Sequence, residues 1–245
     1  MKTKKKIAIG LAALLLMIVC AFLIYTSDYY HADKTAIEAA GAGAGIQISH
    51  SNGALVFDPG NADSALIFYP GGKVEYTAYE PLMIKIAQKG IVCILPEMPF
   101  HLAVFGINTA DKFLSAYPEI KHWYIGGHSL GGSMAASYAA KNTGRIEGLI
   151  LLASYSAADI SLSSMRVLSV YGSEDGVLSM ESYQKNKSKL PAKFIEIVLQ
   201  GGNHAGFGCY GPQQGDGMAS ISSEQQQTDT ASAVAEFCLT AKDDE

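Results

Sequence analysis

Charge is scarce in this chain of 245 residues: Asp, Glu, Lys and Arg make up 17% of it, against 49% apolar residues. That balance excludes a fibrous or disordered protein and supplies material for a sizeable core. Cysteine is scarcer still. Cys20, Cys93, Cys209 and Cys238 are too few for a disulfide framework and have no metal-ligand spacing, so no metal is expected. Cys93 lies in a buried-strand pattern. Cys209 and Cys238 have the option of pairing in an oxidising compartment, provided their Cα atoms stand about 4.4–6.8 Å apart. The body has no Pro/Ser-rich linker and no internal repeat, which points to one domain behind an N-terminal segment. It also lacks a Lys/Arg stripe. Four of the 18 basic residues, Lys2, Lys4, Lys5 and Lys6, precede the first apolar run, leaving 14 basic against 23 acidic, a balance of −9 where the whole chain has −5. A body this acidic repels phosphate backbones, so nucleic acid is excluded as a partner and a small molecule is expected instead.

Residues 7–25 carry no charge, and about 19 helical residues match the roughly 30 Å hydrocarbon thickness of a bilayer. The following Tyr25-Thr26-Ser27-Asp28-Tyr29-Tyr30 offers no A-x-A cleavage pattern, which favours an uncleaved anchor over a secretory signal. Cys20 is preceded by Val19 and followed by Ala21-Phe22-Leu23-Ile24, a cysteine within a span rather than a lipoprotein site. The lysines before the span predict a cytoplasmic N-terminus and a body outside the cytoplasm, secretion after cleavage being the alternative. The expected organisation is an anchor or uncleaved signal segment at 1–30 and one domain at 31–245.

Strand patterns fall at 46–49, 54–57, 65–69, 91–96, 123–126, 149–153, 167–171 and 194–198, and helical patterns at 76–88, 109–116, 131–141 and 225–239. Strands apolar throughout and alternating with helices predict an α/β fold: a mainly parallel central sheet covered on both faces. The short polar stretch 154–164 leaves no room for a large cap. Such sheets place their chemistry in loops at the carboxyl ends of the strands. Pro70-Gly71-Gly72, 127–131, 172–175 and 201–208 all follow strand candidates.

Gly127-His128-Ser129-Leu130-Gly131 matches G-x-S-x-G between a strand and an Ala-rich helix, the context in which a tight turn exposes a nucleophilic serine. A serine hydroxyl needs a base, and the base needs an acid to fix its tautomer. Downstream, Glu174-Asp175-Gly176 ends one strand and Gly201-Gly202-Asn203-His204 ends the next. Asp175 is preferred to Glu174 because it leads directly into Gly176, and His204 follows as the base. The elbow supplies the Leu130 amide to an oxyanion, with a second from Gly72 or Lys73. Phe100 and His101, within the apolar stretch 98–105, are candidates for substrate binding. His31, His50, His122 and His128 are read as structural, and 213–217 as a surface loop.

The stretches Phe68-Tyr69-Pro70-Gly71-Gly72-Lys73-Val74-Glu75, Gly126-Gly127-His128-Ser129-Leu130-Gly131-Gly132 and Gly201-Gly202-Asn203-His204-Ala205-Gly206-Phe207-Gly208 resemble a bacterial α/β-hydrolase family related to the dienelactone hydrolases. The resemblance covers nearly everything after the anchor. It implies the α/β-hydrolase fold, with Ser129, Asp175 and His204 as nucleophile, acid and base, and no cofactor. The chain departs from true dienelactone hydrolases in having Ser where they use Cys. The expected activity is hydrolysis of carboxylic esters through an acyl-enzyme. An acyltransferase with the same triad and a non-catalytic binding protein are the alternatives.

Overall fold

The computed structural model describes residues 2–36, 38 and 45–240. Its first element, α1 (Lys2–Ser27), is the long apolar helix of the anchor reading, its span exposed along almost its whole length. Eight strands follow: β1 (Gln47–Ser51), β2 (Ala54–Asp58), β3 (Ser64–Tyr69), β4 (Val92–Pro96), β5 (His122–His128), β6 (Gly148–Leu152), β7 (Arg166–Gly172) and β8 (Ile195–Leu199). They form one sheet in the order β1-β2-β4-β3-β5-β6-β7-β8, antiparallel only at β1/β2 and β2/β4. The helices are α2 (Glu80–Ala87), α3 (Asp111–Leu114), α4 (Leu130–Ala139), α5 (Met180–Asn186) and α6 (Ser223–Leu239).

Alternation along the strands sends side chains to two cores. From β3, Leu66 and Phe68 join Leu82 and Met83 of α2 and Val234 and Phe237 of α6 on one face. Ala65, Ile67 and Tyr69 join Phe113 of α3 and Ala135, Ala136 and Ala139 of α4 on the other. Both faces are therefore covered, as the continuous apolar runs predict. The stretch between β6 and β7 contains no helix or strand, so there is no cap domain.

Helix boundaries follow local chemistry. The expected helix at 76–88 begins instead as a 3-10 turn, Tyr76–Tyr79, and becomes α-helical at Glu80 with Pro81 in the first turn, where a missing N–H costs nothing. The helix expected at 109–116 is a 3-10 turn, Ile107–Ala110, followed by the single turn of α3. Ser222 caps α6 by accepting from the Gln225 amide.

All four cysteines are free. Cys209 Sγ meets Gln227 near the start of α6, whereas Cys238 lies at its far end, where its carbonyl accepts from Tyr124. Eleven helical residues, about 16 Å, separate Gln227 from Cys238, which rules out the optional bridge.

Glu80 is buried at the start of α2, and burial, with the charge of Glu75, lifts its carboxyl pKa from 4.5 to about 7. A raised carboxyl pKa gives a contribution to stability that is complete below the unfolded value and lost as pH rises through the folded one. Glu80→Gln is therefore expected to be more stable than the parent at pH 8, by on the order of 1 kcal/mol after solvent screening. Thermal unfolding should show that advantage vanish towards pH 4.

Candidate active site

Parallel register brings four loops to one edge. Tyr69 pairs with Gly127, so 70–73 and the elbow after β5 emerge side by side, while Gly172 pairs with Leu199 and brings 173–176 beside 201–204. The elbow is held by sterics. A Cβ on Gly131 would collide with the carbonyl oxygens of Tyr69 and Pro70, and one on Gly127 would meet Tyr69 and the backbone of Gly131 and Gly132. Ser129, between them, adopts φ 53° and ψ −122°, a conformation that side chains avoid and that persists only where surroundings impose it. Its amide donates to Leu152 and its carbonyl accepts from Ser154 Oγ at 2.7 Å. Leu130 opens α4, so its amide has no carbonyl one turn back to bond.

Of the two adjacent acids, Asp175 is the one that meets the histidine. Its Oδ2 lies 2.9 Å and its Oδ1 3.1 Å from His204 Nδ1, and both side chains are 1% exposed. Oδ1 also accepts the Val177 and Leu178 amides. Glu174 is exposed and accepts from its neighbour Ser173. His204 Nε2 is buried and makes no hydrogen bond among the described residues. Ser129 and His204 border one cleft of about 230 Å³, together with Leu130, Ser154, Val177 and Leu178. The hydroxyl and Nε2 are not hydrogen-bonded to each other, a looseness common before substrate arrives. A larger hollow of about 1000 Å³ opens behind the His204 loop, but neither Ser129 nor His204 lines it.

The two oxyanion candidates left open by sequence differ in structure. The Lys73 amide already donates to the His101 carbonyl at 2.8 Å, so it is not free for an oxyanion. Gly72 lies against Leu130: a Cβ there would come within 2.8 Å of the leucine side chain. Gly72 is thus the member of the pair adjoining the elbow. Phe100 and His101 do not border the Ser129 cleft; both turn towards the N-terminal segment, where Phe100 packs on Phe22 and His101 stacks on Tyr29. Local backbone explains this, since both residues have positive φ, 56° and 54°.

Two residues escape the sequence reading. His128 follows Tyr124 and Gly126 on one face of β5 and is buried, its ring 4.5 Å from that of His204. Tyr79 Oη accepts from the Gly71 amide and is hydrogen-bonded to His128 Nδ1, at 2.8 Å. Burial, with His204 nearby, holds the His128 pKa well below the usual histidine value. His128 is therefore a neutral wedge between the 70–73 loop and the His204 loop; period-2 alternation from Tyr124 was the available signal. Asp216 is the second. Its carboxylate accepts the amides of His204, Ala205, Gly176 and Gly217, tying the loop after β8 to the loop after β7. The glycines of 213–217 permit that approach, because a Cβ on Gly217 would strike the Glu174 carbonyl.

A family model described as "Alpha/beta hydrolase family" matches residues 65–228. No curated protein matches the sequence. Among solved structures, Est1E from Butyrivibrio proteoclasticus superposes with a TM-score of 0.55 at 14% identity, covering 80% of this chain and 98% of its own. Carboxyl esterase 2 from the mycorrhizal fungus Tuber melanosporum gives 0.58 at 12% identity over 86% and 91%. The esterase domain of a Rhodothermus marinus protein gives 0.56 at 12% over 75% and 90%. At such identities the likeness is one of fold.

Proposed function

Because this chain belongs to the alpha/beta hydrolase family, we propose that it is a serine hydrolase cleaving carboxylic esters through an acyl-enzyme. The observation that carries this reading is the Asp175–His204 pair bordering the same cleft as a serine on a strained elbow. His204, its Nδ1 proton held by Asp175, takes the Ser129 proton through Nε2 as Oγ attacks the acyl carbonyl. The Leu130 and Gly72 amides receive the oxyanion. His204 then returns the proton to the leaving alcohol, and water, activated by the same base, releases the acid. His128, kept neutral, places no second positive charge beside the imidazolium.

The domain is proposed to stand outside the cytoplasm on an uncleaved anchor. The lysines before the span support the side; supporting the anchor, the end of α1 is seated on the body: Phe22 packs on Phe100 and Phe105, Thr26 is buried, and Lys73 Nζ lies 4.4 Å from the Tyr25 ring centre. The junction near residue 30 is not a free linker. Tyr30 bonds Lys73 and Glu75 through its backbone, and the Asp33 amide donates to Cys209.

The direct test is labelling of the full chain with a fluorophosphonate, followed by peptide mass mapping. Label on Ser129 is expected; folded protein that takes none, or takes it elsewhere, sinks the reading. If Asp216 aligns the base, Asp216→Ala should lower kcat on p-nitrophenyl acetate about ten- to hundredfold with little change in KM. Circular dichroism should remain that of the parent.

A further inference from the structure

The contacts of residues 98–105 link the catalytic edge to the apolar helix. At one end, the His101 carbonyl holds the Lys73 amide, and Leu102 reaches the space beside Gly72 that Leu130 also fills. At the other, Phe100 and Phe105 pack edge-on against Phe22, with ring centres 5.1 and 5.6 Å away. Phe22 lies three residues inside Tyr25, the end of the apolar run, about 5 Å along the helix axis. Whatever touches Phe22 is therefore at the depth of the interface once α1 spans a bilayer. Phe100, Val104 and Phe105 are nevertheless 48%, 45% and 53% exposed, so each still offers apolar surface beyond its contact with the helix.

Two further features suit an interface. Consecutive positive φ values at Phe100 and His101 turn these side chains away from the Ser129 cleft and towards α1. Tyr29 stacks on His101 and Tyr25 lies under Lys73, amphipathic rings of the kind enriched at headgroup level, with Lys73 paired to Asp28 at 3.1 Å. A loop meant to bound a pocket for a water-soluble ester would turn its phenyl rings into that pocket.

We infer that residues 99–105 are seated in the outer leaflet and that the Ser129 cleft draws its substrate from it: a long-chain lipid ester whose acyl chain stays among the lipids while its carbonyl reaches the oxyanion site. This rests on the serine-hydrolase and anchored readings above. The leaflet spares the enzyme the extraction of a whole lipid into water.

The test uses the full chain in vesicles of phosphatidylcholine and phosphatidylglycerol. Phe105→Trp in vesicles with bromine on the acyl chains is expected to lose tryptophan emission relative to unbrominated lipid. The parent, whose one tryptophan, Trp123, is buried near the start of β5, should not. Absence of quenching overturns the placement. In parallel, Val104→Asp with Phe105→Asp should lower the ratio of dioleoylglycerol hydrolysis in vesicles to p-nitrophenyl acetate hydrolysis by about tenfold or more, since membrane seating scales with apolar area. An unchanged ratio overturns the substrate class. Fluorophosphonate labelling of the parent separates the two layers. A labelled enzyme with an unchanged ratio fails only this inference, whereas an unlabelled one fails the hydrolase reading and the substrate assignment with it.

Discussion

Ser129→Ala is expected to lose fluorophosphonate labelling and to lower kcat on p-nitrophenyl acetate by at least about a thousandfold, because the oxyanion amides alone sustain only residual catalysis. The substitution removes the hydroxyl and keeps the backbone conformation. A separate effect should distinguish alanine from glycine at this position. With φ at 53° and ψ at −122°, residue 129 sits where a Cβ is unfavourable. Ser129→Gly should therefore be as inactive as Ser129→Ala yet more stable by about 1 kcal/mol, as the strain is relieved. Equal melting temperatures for the two variants would show that the elbow is not strained. Activity retained in either would remove Ser129 from the chemistry.

The second large effect concerns the acid. Asp175→Asn should reduce kcat by roughly a thousand- to ten-thousandfold, through the tautomer of His204 rather than through lost structure. Asp175 Oδ1 takes the Val177 and Leu178 amides, and only an oxygen can do so. The asparagine carbonyl must keep that place, which turns its NH2 group towards His204 Nδ1. The imidazole proton then moves to Nε2, and the nitrogen that should accept from Ser129 becomes a donor. Because the two amide bonds survive, the melting temperature should change little. Glu174→Gln, at an exposed carboxylate bonded to Ser173, should leave kcat within about twofold. A profile in which Glu174→Gln is the damaging change would reverse the assignment of the acid.

Most of the sheet was legible because its signal is local. Ala65 to Tyr69 and Leu149 to Leu152 are buried on both sides, so every residue of the run is apolar, whatever the partner strand. The elbow was legible for the same reason, its glycines being required within five residues of sequence. What failed was non-local. Asp216 acts through amides on two other loops, and no spacing in sequence announces that Gly176 and His204 converge on one carboxylate. Nor does the run Pro99-Phe100-His101 reveal that its side chains turn away from the cleft, since two left-handed residues in succession are a tertiary imposition. The choice between Gly72 and Lys73 required knowing that the His101 carbonyl occupies the lysine amide.

The fit of Gly131 against the carbonyls of Tyr69 and Pro70 has a consequence for how such a chain can diverge. The elbow and the oxyanion loop share a wall with no spare volume, so neither can drift by single substitutions without the other. An evolving lineage holds that pair fixed and varies elsewhere, as at Ala157, Asp159 and Leu162, which are exposed and do not touch the elbow glycines. Selectivity for new substrates is therefore open to change one residue at a time, while the machinery that activates them is inherited whole.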